Sequence, residues 1–419
     1  MKMRTLLVLL IAIGLLAGQT VTAQDKSTIT LATWGVPSEI EGFQRIAERY
    51  EADHTDVDIV IEERPAQGYQ DQAMVELAAG EAPDILRAGF RGQFAFYAQA
   101  GGTIDFSPYL EEGFADDFLP GAWRIAQYDG KPYGIPMHTD TFGVFVNTDY
   151  FEQIGVEIPQ SIDECWSWEE FTDISRRLIE ETDAEYGHAA NWGVGKRFMM
   201  ILYENGGQVL NDYLTAPMMT EPEAVEAIAW VQSWYEDGLT PLSTSIKGQE
   251  QAQNLFINGT IGMLIHGSFL MPWLEENMTD YGWAATYMPC KNLAGADFGG
   301  TGLIVTKDSD HPDIAVDFVK FATNTENMID FSLNALFIPV RKSALAEPLA
   351  YPQFADEMNI FAEIASLVGE NEAGVQGHPK FGQIDLILAD ELDLAFATGQ
   401  SAEQTAENIQ QKIEDALSE

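Results

Sequence analysis

Few residues of this chain are of a type and spacing that could do chemistry. Its six histidines, His54, His138, His188, His266, His311 and His378, are scattered, with no H-E-x-x-H and no pair at metal-ligand spacing. Ser268 stands in Ile265-His266-Gly267-Ser268-Phe269, which lacks the second glycine of a nucleophile elbow. Gly299-Gly300-Thr301-Gly302 is glycine-rich but is neither a Walker loop nor a dinucleotide fingerprint, and no lysine follows at the required place. Carboxylate pairs such as Asp116-Asp117 and Glu169-Glu170 are frequent because carboxylates are frequent throughout. Solvated faces account for them better than a glycosidase acid/base pair does. Cys165 and Cys290 have neither the number nor the spacing of a zinc site. In an exported protein the even count favours a disulfide over two buried thiols. The expectation is no catalytic residue, no metal, no cofactor and a Cys165–Cys290 bridge.

Charge narrows the partners. The 419 residues carry 66 Asp and Glu against 22 Lys and Arg, a formal net charge of −44 spread along the whole chain. Such a field repels phosphate backbones and anionic head groups, so nucleic acid is excluded as a partner. Salt screens this self-repulsion. The melting temperature is therefore expected to rise as sodium chloride is added; a flat or falling series of thermal melts would refute adaptation to a saline habitat. With 46% hydrophobic residues there is enough apolar material for more than one core.

The start of the chain carries an address. Lys2 and Arg4 precede an apolar run from Leu6 to Leu16, and small residues end in Val21-Thr22-Ala23. That is the pattern of a secretory signal peptide over residues 1–23, and the run is shorter than the roughly 20 residues a membrane anchor needs. Leu15-Leu16-Ala17-Gly18 is followed by Gln19, where a lipoprotein box needs cysteine. The expectation is export to the periplasm or beyond, with no membrane insertion after cleavage.

The elements that must position any site alternate. Ile29 to Thr33 reads as a first strand, followed by a helix with Ile40, Phe43, Ile46, Ala47 and Tyr50 on one face and a second strand at Val57 to Ile61. Ser167-Trp168-Glu169-Glu170 is a capping box ahead of Phe171, Ile174 and Leu178. The last helix sets Ala402, Ala406, Ile409, Ile413 and Leu417 on one side. Repeated alternation predicts an α/β protein with mainly parallel sheets and helices on both faces.

Several stretches in order resemble one family. They are Ile29 to Trp34, the Ala79-Gly80-Glu81-Ala82-Pro83-Asp84-Ile85 turn, Gly130 to Pro136 with Val144 to Asn147, Phe256 to Met263, and Gly399 to Thr405. The chain resembles the extracellular solute-binding proteins of ABC importers, in the carbohydrate-binding, maltose-binding-protein-like group (family 1). The resemblance implies a two-lobe, type II periplasmic-binding-protein-like fold with a hinge and an interlobe cleft. It places one lobe at 24–137 plus 296–340 and the other at 138–295 plus 341–419. It also implies delivery of a mono- or oligosaccharide to ABC permease subunits, by a protein whose opening and closing favours a monomer. The alternatives are another small polar solute, such as glycerol-3-phosphate or a polyamine, and a secreted glycoside hydrolase.

A pyranose has apolar C–H faces and a ring of hydroxyls, so it wants flat aromatic platforms with planar polar groups. The candidate ligand-binding residues are Trp34, Tyr69 (beside Gln70), Arg91, Asp140, Trp192, Ser268, Trp273, Gly300 and Phe381. Core packing competes for the tryptophans, a surface ion pair for Arg91 and a structural turn for Asp140. Trp230 and Trp234 lie in a periodic helix and go to the core.

Overall fold

The computed structural model describes residues 26–293 and 295–418. The signal-peptide expectation lies outside the described residues. Among them, no helix is long and apolar enough to cross a membrane.

Twelve strands are described. They are β1 (Ser27–Thr33), β2 (Val57–Glu63), β3 (Ile85–Gly89), β4 (Gln127–Tyr128), β5 (Lys131–Pro132), β6 (Ile135–Thr139), β7 (Phe142–Asn147), β8 (Tyr186–Ala190), β9 (Ile261–Gly267), β10 (Trp283–Thr286), β11 (Thr301–Val305) and β12 (Ile338–Pro339). One sheet has the order β12-β6-β11-β3-β1-β2 and the other β10-β7-β9-β8, while β4 and β5 form a small hairpin. Parallel pairing holds only for β1 with β2 and β3 and for β8 with β9; the other pairings are antiparallel. The sheets are therefore mixed rather than mainly parallel. The chain passes from β6 straight through Asp140-Thr141 into β7, and returns after β10 to lay β11 between β6 and β3 from the opposite end.

Local signals explain the helices. Pro37 opens Pro37–Asp53, where Glu39 accepts the Val36 N–H at 2.8 Å and Phe43, Ile46 and Tyr50 are buried. At Trp168–Glu181, Ser167 Oγ accepts the Glu170 N–H and the Glu170 carboxylate accepts the Ser167 N–H at 2.8 Å. Strand alternation splits the core: Val144 and Val146 enter a cluster with Trp234, Phe381 and Ile409, whereas Phe145 joins the cluster of the larger sheet.

Past residue 340 the chain serves both halves. Phe361, in Ala355–Ala365, lies 5.7 Å from Phe145, ring to ring. The helix Glu370–Gln376 packs on Pro120–Ile125, where a side chain on Gly121 would meet Val368 and Ala373. This helix, assigned by resemblance to the second lobe, packs on one that the resemblance assigns to the first. Phe381–Thr398 and Ala402–Ser418 belong with the smaller sheet's core. Cys165 and Cys290 are bridged, with Cα atoms 5.9 Å apart and a sequence separation of 125. Closing so long a loop is worth about 4–5 kcal/mol in the chain-entropy account.

Candidate functional site

The carboxyl ends of β1, β3, β6 and β9 bring the informative residues to the seam between the two sheets. Under it is a charged floor. Arg87, only 2% exposed, donates from Nε to Thr301 Oγ1 at 2.9 Å, from Nη2 to Glu39 at 2.5 Å and from Nη1 to the Trp34 carbonyl. Thr301 Oγ1 and Arg87 both contact His138 Nε2. Burial, reinforced by Arg87, holds His138 far below the usual imidazole range, so it is neutral and serves as an acceptor at Nε2. The Arg87 guanidinium lies 4.9 Å from the Trp34 ring centre, which Tyr69 flanks at 4.5 Å. Trp34 is half-buried and lines a cavity of 620 Å³.

Two ion pairs cross the seam. Lys196 Nζ donates to Asp297 at 2.7 Å and to the Phe298 carbonyl at 3.3 Å, with both side chains buried. Arg91, after β3, donates to Asp385 at 2.5 Å, and the other Asp385 oxygen accepts the Lys196 N–H at 2.7 Å. Removing one partner of the buried pair would strand a charge at a cost of about 3–5 kcal/mol.

At the β6–β7 crossing the polar groups are incompletely used. Asp140 packs on Gly299 and receives no hydrogen bond to its carboxylate among the described residues. Burial, helped by Asp297 and Glu39 and opposed by Lys196 and Arg197, pushes its carboxyl up to about 6. Arg197 is held by the Asn191 and Trp192 carbonyls and lies 4.5 Å from the Phe142 ring centre, while its Nε has no partner. Ser268 Oγ and Thr141 Oγ1 are also buried without partners, and the Ser268 N–H donates to the Thr141 carbonyl at 3.0 Å. Beside them Phe269, 46% exposed, stands 5.2 Å from His266 and 6.2 Å from Phe142. Buried polar groups are normally satisfied, so this set has capacity for a hydroxyl-rich guest next to an open ring.

The structure brings Trp34, Arg91, Asp140 and Ser268 to the seam, and sets the other candidates in packed or backbone positions. Tyr69 is buried, and its hydroxyl donates to the Ala32 carbonyl at 2.8 Å, tying β1 to the helix Tyr69–Ala79. Trp192 is 1% exposed; its indole donates to the Tyr235 hydroxyl at 2.9 Å and stacks near Trp234. Phe381 is fully buried in the smaller sheet's core, so it offers no face to a sugar. Trp273, in Met271–Asn277, is half-buried against the larger core. Gly300, at φ +98°, accepts the Phe90 N–H, and a Cβ there would fall 2.1 Å from the His138 carbonyl; it is required by close backbone approach. Sequence reasoning missed Phe269, Lys196, Arg197, Asp297 and Asp385. Lys196-Arg197, two adjacent cations in so acidic a chain, was the available signal.

Comparison with known proteins agrees with this architecture. A maltotriose-binding protein of Pyrococcus abyssi is 25% identical over 321 residues, covering 74% of this chain and 66% of that protein. A lactose-binding protein of Rhizobium radiobacter is 26% identical over 321 residues, covering 71% of each. Among solved structures, the cyclic α-maltosyl-1,6-maltose binding protein of Arthrobacter globiformis superposes with a TM-score of 0.81 at 18% identity, covering 94% of this chain and 99% of that one. The GacH receptor of Streptomyces glaucescens, solved unliganded and with acarbose, gives 0.76 at 20% identity over 94% and 99%. These structures show the two-lobe α/β fold. Residues 36–329 match the bacterial extracellular solute-binding protein family, and the chain belongs to it.

Proposed function

We propose that this protein is the exported binding subunit of an ABC importer, capturing a mono- or oligosaccharide at the seam between its lobes and passing it to a membrane permease. The observation that carries the reading is the group of polar side-chain atoms on Asp140, Thr141, Arg197 and Ser268 with no hydrogen-bond partner among the described residues, beside the open ring of Phe269. Carboxylate, hydroxyl and guanidinium groups match sugar hydroxyls, and the ring matches a C–H face. Relatives named for maltotriose and lactose support the same ligand class. The lobes divide near 137/138 and 295/296, the leader is residues 1–23, and a monomer suffices because both walls come from one chain. No chemical step is required of it.

The test is a titration of the mature protein with mono- and oligosaccharides, following tryptophan fluorescence and assaying the sugar afterwards. A saturable change with one sugar, recovered intact, is expected. Silence with sugars but a response to glycerol-3-phosphate or a polyamine would replace the ligand class. Consumption of the sugar would make the protein a hydrolase.

A further inference from the structure

Away from the seam a second pocket opens between the two halves, with a volume of 670 Å³, within the size range of small-molecule sites. Arg124 lies in it, in the last turn of Pro120–Ile125. Every other described arginine makes a hydrogen bond or ion pair; Arg124 makes none among the described residues, in a chain with three carboxylates for every base. Lys380 shares the pocket, and its ammonium caps the Ala416 carbonyl at 2.6 Å rather than a carboxylate. His378 Nδ1 accepts the Lys380 N–H at 3.1 Å, so its remaining ring N–H is on Nε2. Burial is the main cause that lowers the His378 pKa, and Lys380 and Arg124 add to it, so both cations act on the ring. Tyr213, 86% exposed, stands at the rim from the opposite half. One carboxylate, Asp129, also lines the pocket.

We propose that this pocket is a second ligand site, for a small oxyanion-bearing molecule whose carboxylate or phosphate is forked by Arg124 and Lys380 while its body lies against Tyr213. The planar guanidinium suits two oxygens of one anion, and with no partner among the described residues it is available for them. Because Arg124 and Tyr213 come from different halves, an occupant bridges them. Its lining residues are distinct from those of the sugar seam, so either site can fail without the other.

Calorimetric titration with sodium glucuronate, sodium phosphate and glucose, against sodium chloride at matched ionic strength, tests it. Saturable binding of glucuronate or phosphate is expected, weakened at least tenfold in Arg124→Gln, with far-UV circular dichroism and the seam's fluorescence titration unchanged. Preference for glucuronate assigns an acidic sugar, and preference for phosphate a phosphorylated solute. Heat no greater than that of chloride, binding of glucose alone, or anion binding that survives in both Arg124→Gln and Lys380→Gln would overturn the proposal.

Discussion

Trp192→Ala is expected to lower stability by about 3–5 kcal/mol, the usual cost of emptying an indole-sized space in a packed interior. The ring is 1% exposed, lies 6.1 Å from Trp234 and 6.0 Å from Phe396, and its N–H is taken by Tyr235. Truncation therefore removes apolar contacts and leaves the buried Tyr235 hydroxyl short of a partner. Sugar affinity of the fraction that remains folded should change less than about threefold, since no face of the indole reaches solvent. Urea denaturation followed by circular dichroism measures the first effect and fluorescence titration the second. Phe269→Ala is the matched contrast: its ring is 46% exposed, so stability should move little while affinity falls at least tenfold. Equal urea midpoints for Trp192→Ala and the parent would return Trp192 to the binding site.

That contrast marks the boundary of what the sequence could reveal. The helix Pro37–Asp53, the box at Ser167 and the terminal helix were legible because periodicity and caps act within a few residues. The family and its two-lobe architecture were legible because short motifs recur in order along the chain. The destination of a single aromatic was not. Asn191 and Gly193 make Trp192 look like a loop residue, yet its burial is decided by Trp234 and Phe396, which lie far along the chain. Phe381 likewise follows a polar stretch, His378-Pro379-Lys380, but begins a helix whose inner face fills the smaller sheet's core. Strand direction was hidden for a related reason. The antiparallel sense of β11 follows from the chain re-entering the larger sheet from the other half. The place of Asp140 at the seam was legible because it is set by the short β6–β7 crossing, which no distant packing can move far.

Asp140→Asn is expected to stabilise the protein and weaken its sugar binding together. In the folded chain burial raises the Asp140 carboxyl to about 6, above the roughly 3.9 of an unfolded aspartate. The native state thus holds that proton more tightly than the unfolded state does, and ionisation costs stability above about pH 6. The cost fades as pH falls from 6 towards 4. Asparagine never ionises, so at pH 8 the variant should be more stable by about 1–3 kcal/mol, towards the lower end because the side chain is only half-buried. Near pH 4 the two proteins should melt together. Affinity at pH 8 should fall at least tenfold, because an ionised carboxylate accepts hydroxyl hydrogen bonds more strongly than an amide oxygen does. A charge kept at a cost to the fold is what a residue selected for its ligand would show. Equal melting temperatures at pH 8 would refute the stored electrostatic cost. A gain in stability with unchanged affinity would instead leave Asp140 as a burdened hinge residue and shift recognition to Arg197, Ser268 and Phe269.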